Sequence, residues 1–195
     1  MRWLLRILIA LAVVAAVIVL GLAVAGVREG AGRSTAAVEI NRPASQVFHH
    51  ITDDQIAKRW VGGLVELTPI PGARLKVRDR LTAVVEASGR RIEVQLIVTA
   101  IESNRRLKFT VNSSGDPTLG FRGVCEGVLS ETDGRTRFAF TENMQYFGIF
   151  ARVVEPLKTM ALQRKLEADL ARLKEQVEAE PLPAIPSARR DAPDH

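Results

Sequence analysis

Residues 135–177 read RTRFAFTENMQYFGIFARVVEPLKTMALQRKLEADLARLKEQV, and the hydrophobic period changes once within them. Up to residue 146 it is two: Thr136, Phe138, Phe140, Glu142, Met144 and Tyr146 would share one face of a strand. From Phe147 it becomes helical, with Phe147, Phe150, Val154, Leu157, Ala161, Leu166, Leu170, Leu173 and Val177 recurring over about thirty residues. Pro156 interrupts this ladder, so a kink or a late start is expected near it. A helix this long and this one-sided is not stable alone, and its apolar stripe needs a sheet to cover it.

The residues upstream supply that sheet. Two runs, 119–131 and 135–145, are joined by Thr132-Asp133-Gly134, a hairpin signal. Before them, 75–87 and 91–101 are joined at Ser88-Gly89, and 106–112 forms a further strand. A short strand at 64–69 precedes the turn Pro69-Ile70-Pro71-Gly72. These consecutive strands predict an antiparallel meander. Ahead of it, residues 35–40 read as a strand and Asn41-Arg42-Pro43 opens a helix, with Pro43 where a first-turn proline is tolerated. Val47, Phe48 and Ile51 give that helix its apolar face. Thr52-Asp53-Asp54 starts a second short helix, which presents Ile56 and Trp60 and stops at Gly62-Gly63.

The flanks differ in kind. From Ile7 to Val27 every residue is Ile, Leu, Ala, Val or Gly. Twenty-one residues at a helical rise span about 31 Å, the thickness of a hydrocarbon core. Arg6 and Arg28 bound the run and Trp3 stands near one interface, so residues 1–27 are expected to form an uncleaved membrane anchor. Ala23-Val24-Ala25 offers a cleavage pattern, but the run exceeds an ordinary signal-peptide core. A short leading segment and a long following domain resemble a signal anchor, so the domain is expected outside the cytoplasm, in a single-pass protein of the cell (inner) membrane. Residues 28–34 read as a linker, and residues 179–195, rich in proline, as a disordered tail.

Composition narrows the classes further. The chain has 195 residues, 47% hydrophobic and 25% charged, with one cysteine and three histidines. That excludes a disulfide-stapled scaffold and leaves little for a tetrahedral zinc site or a Cys/His nucleophile pair. The net charge is +5, of which residues 1–33 carry +3, with four arginines against one glutamate. The excess therefore flanks the apolar run instead of forming one face of a domain, and no nucleic-acid partner is expected. There is no Walker loop, Rossmann fingerprint, Gly-x-Ser-x-Gly elbow or HExxH, and neither a cofactor nor a metal is expected.

The order strand, two short helices, antiparallel strands, long C-terminal helix resembles the helix-grip fold of the START-like superfamily, also termed SRPBCC or polyketide cyclase/dehydrase-like. The run 38–48, Val-Glu-Ile-Asn-Arg-Pro-Ala-Ser-Gln-Val-Phe, resembles that family's first strand and helix start. Asp53 through Trp60 resembles its second helix, and 166–174 its closing helix. The resemblance covers residues 35–178 and implies an α+β domain: a curved antiparallel sheet wrapped around the C-terminal helix. It also implies a cavity between sheet and helix for a lipid, a polyketide or another hydrophobic small molecule. It brings no catalytic motif with it.

Several residues could serve such a cavity. Glu142 is a lone carboxyl among large apolar neighbours, a candidate acid/base or ligand hydrogen-bonder if buried, and an ion-paired strand-end residue otherwise. Gly123, Cys125 and Gly127 alternate on the preceding strand with Phe121, leaving either cavity volume or room for a close helix. Cys125 reads as a small core residue. Tyr146, the one tyrosine, stands where the long helix begins and could orient a ligand or fill an interface. With Trp60, Phe109, Phe138, Phe140 and Phe150, these form the expected ligand-binding set. His49 and His50 read as a surface pair, because neighbours on a helix point about 100° apart. Arg74, Lys76, Arg78 and Arg80 would make a basic stripe on a strand, either an ordinary solvated face or a contact for anionic headgroups.

Overall fold

The structure is a computed structural model describing residues 3, 6–7, 11–14, 16–17, 21, 31–68, 75–87, 89–113, 120–147 and 155–181. Seven strands form one antiparallel sheet: β1 (Ala31–Ile40), β2 (Leu64–Thr68), β3 (Arg80–Ala87), β4 (Arg90–Glu102), β5 (Arg106–Ser113), β6 (Phe121–Thr132) and β7 (Arg135–Tyr146). Their spatial order is β1-β7-β6-β5-β4-β3-β2, so the meander is as expected and β1 closes beside its last strand. Helices α1 (Ala44–Thr52) and α2 (Asp54–Trp60) lie between β1 and β2, and α3 (Glu155–Ala179) closes the domain.

Local chemistry explains most boundaries. Asp53 caps α2, its carboxylate accepting from Gln55 N at 2.9 Å and Ile56 N at 3.0 Å. Thr132 pairs with Arg135 across a two-residue connection, and Asp133 and Gly134 both take the positive φ that such a hairpin turn needs. Pro156 stands in the first turn of α3 as described from Glu155, where its missing N–H costs nothing; residues 148–154 lie outside the described residues.

α3 lies along β1. Thr159 O accepts from Ser34 Oγ at 3.5 Å, Gln163 bonds both N and O of Thr35, Lys174 Nζ donates to Glu39 O at 2.6 Å, and Glu178 accepts from Asn41 N at 2.7 Å. From Gln163 to Glu178 is fifteen helical steps and from Thr35 to Asn41 six strand steps, each about 20 Å, so the two elements stay in step over that length. The helix side chains thus occupy backbone groups on the sheet edge that β7 leaves unpaired. A Cβ at Gly32 would collide with the Thr159 hydroxyl. Gly32→Val is therefore expected to cost about 1–3 kcal/mol of stability by overpacking this contact. A lower thermal midpoint of the full-length variant in detergent would register it, and an unchanged midpoint would refute it.

Four expectations need correction. Residues 31–34 are not linker: they are the first residues of β1, paired with 142–145 of β7. Their sequence, Ala-Gly-Arg-Ser, has little apolar alternation, and backbone pairing and the close helix decide their state. The strand expected at 75–87 begins only at Arg80. Lys76–Asp79 is a turn, with Lys76 N bound to Asp79 Oδ2 at 2.7 Å and Arg78 at φ +77, so the basic residues form no strand stripe. Arg74 lies outside the described residues. Leu157 and Ala161 face solvent, while Asp169 joins Leu166, Leu170, Leu173 and Val177 on the buried arc of α3. His50 is not a surface residue: it is 0% exposed on α1, with Nδ1 2.9 Å from Gln46 O, while His49 faces solvent.

Of the apolar run 7–27, only residues 7, 11–14, 16–17 and 21 are described, and these are helical. Among the described residues no helix is long and apolar enough to cross a membrane.

Candidate functional site

The inner face of the sheet, toward α3, carries two apolar clusters. The first is the more closed: Ile40, Val47, Ile51, Trp60, Leu129, Phe138, Leu166, Leu170, Leu173 and Val177 seal α1, α2 and α3 onto the sheet, with Ala36, Val38, Phe48, Ile56 and Val61 half-buried at its margin. The second contains Val94, Val111, Cys125, Met144 and Tyr146, and around it Phe109, Phe121, Phe140 and Leu162 keep part of their surface accessible. Phe140 touches both clusters, tilted against Phe138 at 6.1 Å and Phe109 at 6.2 Å.

Glu142 stands at this boundary. The register aligns Ser34, Glu142, Cys125, Phe109 and Val98 across five adjacent strands. The rows on either side hold Gly32, Met144, Gly123 and Val111, and Ala36, Phe140, Gly127 and Leu107. One carboxyl therefore projects from an otherwise apolar face. Among the described residues nothing hydrogen-bonds it or pairs with it within ion-pair distance. The neighbouring carboxylate on α3 is fully engaged: Asp169 accepts from Gly62 N at 3.1 Å, from Lys165 and from Arg172. Those bonds make Asp169 a brace between α3 and the end of α2.

Burial dominates the electrostatics. It pushes the Glu142 carboxyl up; Lys165 opposes the push and Asp169 adds to it. Burial, reinforced by Glu142, raises the Cys125 thiol well above its ordinary value, and the same two causes with Glu155 move Tyr146 up to about 12. Neither Cys125 nor Tyr146 is activated as a nucleophile, because each is held in its neutral form. The group can hydrogen-bond, and Glu142 can exchange a proton.

The structure brings together six of the expected residues: Phe109, Phe121, Cys125, Phe140, Glu142 and Tyr146. Phe121 and Tyr146 stand 6.4 Å apart at one end, with Lys158 Nζ 4.9 Å above the tyrosine ring. It separates Trp60 and Phe138, which belong to the closed cluster; Trp60 donates from its ring nitrogen to His50 O and accepts from Arg172 on its carbonyl. Phe150 lies outside the described residues. The glycines answer differently from both readings given above. A Cβ at Gly123 would meet the Met144 sulfur, and one at Gly127 would meet the Phe138 ring at 2.8 Å, so neighbouring side chains of β7 fill that volume. Ser34, Leu162, Lys165 and Asp169 were not foreseen. An acid at position 169, on the same helical arc as Leu166, Leu170 and Leu173, was the available signal for the last of these.

A separate hollow of about 680 Å³ lies across the sheet, on its outer face, lined by Arg33, Thr110, Asn112, Arg122, Asn143 and Gln145 among others. It contains none of the expected ligand residues.

Residues 31–178 match the family model described as polyketide cyclase / dehydrase and lipid transport. Similar solved structures include a conserved protein from Geobacillus kaustophilus, at TM-score 0.62 and 16% identity over 75% of this chain and 94% of that one. A hypothetical protein from Helicobacter pylori gives 0.62 and 16% over 74% and 87%. A protein from Thermus thermophilus gives 0.57 and 21% over 74% and 96%. At these identities the likeness concerns the fold alone. No curated protein sequence matches the chain significantly.

Proposed function

Because the chain belongs to the polyketide cyclase/dehydrase and lipid transport family, we propose that it binds an amphipathic, mainly apolar small molecule or lipid between the sheet and α3, and that residues 7–27 tether this module to a membrane. One observation carries the binding reading: Glu142, a partly exposed carboxyl with no partner among the described residues, set among half-buried aromatic rings. Ligand sites are lined mainly by apolar side chains with a few convergent polar groups. In this arrangement Phe109, Phe121 and Phe140 cover the apolar part of the molecule, and Glu142 bonds its polar group. Tyr146, neutral up to about pH 12, stands at the end of the same cluster. The tether reading rests on the 21 apolar residues at 7–27 and the arginines that bound them. It places the domain on the extracytoplasmic side of a cell (inner) membrane.

Native mass spectrometry of the detergent-extracted full chain tests the binding reading. The wild type is expected to release an apolar molecule on activation, and Glu142→Leu to be depleted of it. Repeated extraction without any bound molecule would overturn the proposal. Ligand lost through Arg122→Ala or Asn143→Ala but kept in Glu142→Leu would move the site to the outer hollow. The tether has its own check, since a mature N-terminus near Gly26 would show cleavage instead of anchoring.

The upward push on Glu142 also favours a second reading, in which it acts as general base on a bound ketone-bearing substrate. Turnover abolished by Glu142→Gln with the ligand still bound would assign that chemistry.

A further inference from the structure

The chain order fixes which end of the domain meets the membrane, given the tether proposed above. Only residues 28–30 separate the apolar run from Ala31, the first residue of β1. Four residue steps reach at most about 14 Å. The end of the sheet at which β1 begins therefore sits against the bilayer, and the opposite end, where β1 stops at Ile40, stands about 30 Å farther out.

The register shows what shares the near end. Ala31 pairs with Gln145, and the next residue of β7, Tyr146, pairs with Phe121, so the Phe121–Tyr146 end of the Glu142 cluster lies there. Glu142 itself lies four residues farther along β7, about 13 Å inward. The first turns of α3 press on β1 at Gly32 and turn their apolar side outward: Leu157 is 69% exposed and Met160 55%. Lys158 and Arg164 border these two side chains. On the other flank, Val94 pairs with Ser113, and the β3–β4 hairpin continues four positions beyond it. It carries exposed Arg90, Arg91 (opposite Glu86) and Ile92 past the start of β1.

Exposed apolar and basic groups thus flank the Phe121–Tyr146 end of the ligand cluster, at the one end that the tether holds near lipid. We propose that this end docks on the bilayer through Leu157 and Met160, with Lys158, Arg164 and Arg90 against anionic headgroups. The cluster then opens onto the membrane, and an apolar ligand passes between bilayer and Glu142 without crossing water. Its polar group enters first, and its apolar part points back toward the lipid.

The test uses the full chain reconstituted in liposomes of mixed phosphatidylcholine and phosphatidylglycerol, with an environment-sensitive fluorophore attached by Leu157→Cys or, separately, Ser130→Cys. Both sites are exposed, and Ser130 lies toward the far end, where it pairs with Arg137 opposite Glu39. Cys125 is buried, so labelled wild type serves as the blank. Lipids carrying a nitroxide near the headgroup are expected to remove most of the emission at position 157 and little at position 130. Equal quenching at both positions would overturn the docking, as would a probe at 157 shielded from lipid by a second copy of the chain. Flotation with the liposomes after an alkaline wash reports the tether alone. Floating protein with an unquenched probe at 157 refutes the docking while the tether stands, and protein that does not float refutes both.

Discussion

Phe138→Ala is expected to remove about 3–5 kcal/mol of stability, the range for truncating a buried aromatic residue. Phe138 is 1% exposed in the closed cluster. Its neighbours across the sheet are Val38 on β1 and Leu129 on β6. Its ring also occupies the space over Gly127, which has no side chain to relax into the void. The loss corresponds to a fall of about 6–20 °C in thermal midpoint for a chain of this size. Phe109→Ala removes a ring of the same size from the second cluster, where that ring is only half-buried. It is expected to cost about half as much, and to act mainly on bound ligand. Circular dichroism melts of both full-length variants in one detergent decide the matter. Equal losses would mean that the two clusters are equally closed, which would remove the physical basis for a site at Glu142.

The distinction between the clusters marks the limit of what the sequence discloses. The period change near residue 146 and the turn residues at Asp133-Gly134 are sufficient for the closing hairpin of the meander and the helix after it, because backbone periodicity and turn chemistry are local, whereas the place of β1 beside β7 is not. Glu142 on the inner face followed from the same alternation. Whether that face is sealed depends on which side chains cross from other elements. Met144 fills the space over Gly123, Phe138 that over Gly127, and α3 takes up residues 31–34, which look like linker. His50 shows the same limit: its burial depends on α1 meeting α3, and no pattern within residues 41–52 reports it. Asp169 was legible in principle, as an acid on an apolar arc, but its partners, Gly62 N and Arg172, meet only in the folded chain.

Glu142→Gln is expected to make the protein more stable at neutral pH and to flatten its pH dependence. An acid pushed up by burial binds its proton more tightly in the folded than in the unfolded chain. Between the ordinary value of 4.5 and the raised folded one, the native state therefore holds more proton than the unfolded state. Stability falls as pH rises through that window, and the penalty remains in full above it. Two other groups can be kept apart from this limb. Glu178 is held low, chiefly by the Asn41 N–H, so its contribution is lost as pH falls below the same ordinary value, on the acid side. Tyr146, at about 12, titrates far above. Urea midpoints of wild type and Glu142→Gln between pH 4.5 and 9 should accordingly diverge as pH rises; parallel curves would show that Glu142 is not buried in solution. Ligand retention separates the two readings of the residue. Glutamine keeps a hydrogen-bonding group at this position and is expected to keep the ligand, whereas Glu142→Leu, equally relieved of the buried charge, loses one hydrogen bond worth about 1–3 kcal/mol, roughly 5–150-fold in Kd. A leucine variant that is more stable yet empty, beside a glutamine variant that is more stable and loaded, would assign Glu142 to the ligand. If both variants stay loaded, apolar contact alone holds the molecule and the carboxyl serves some other step.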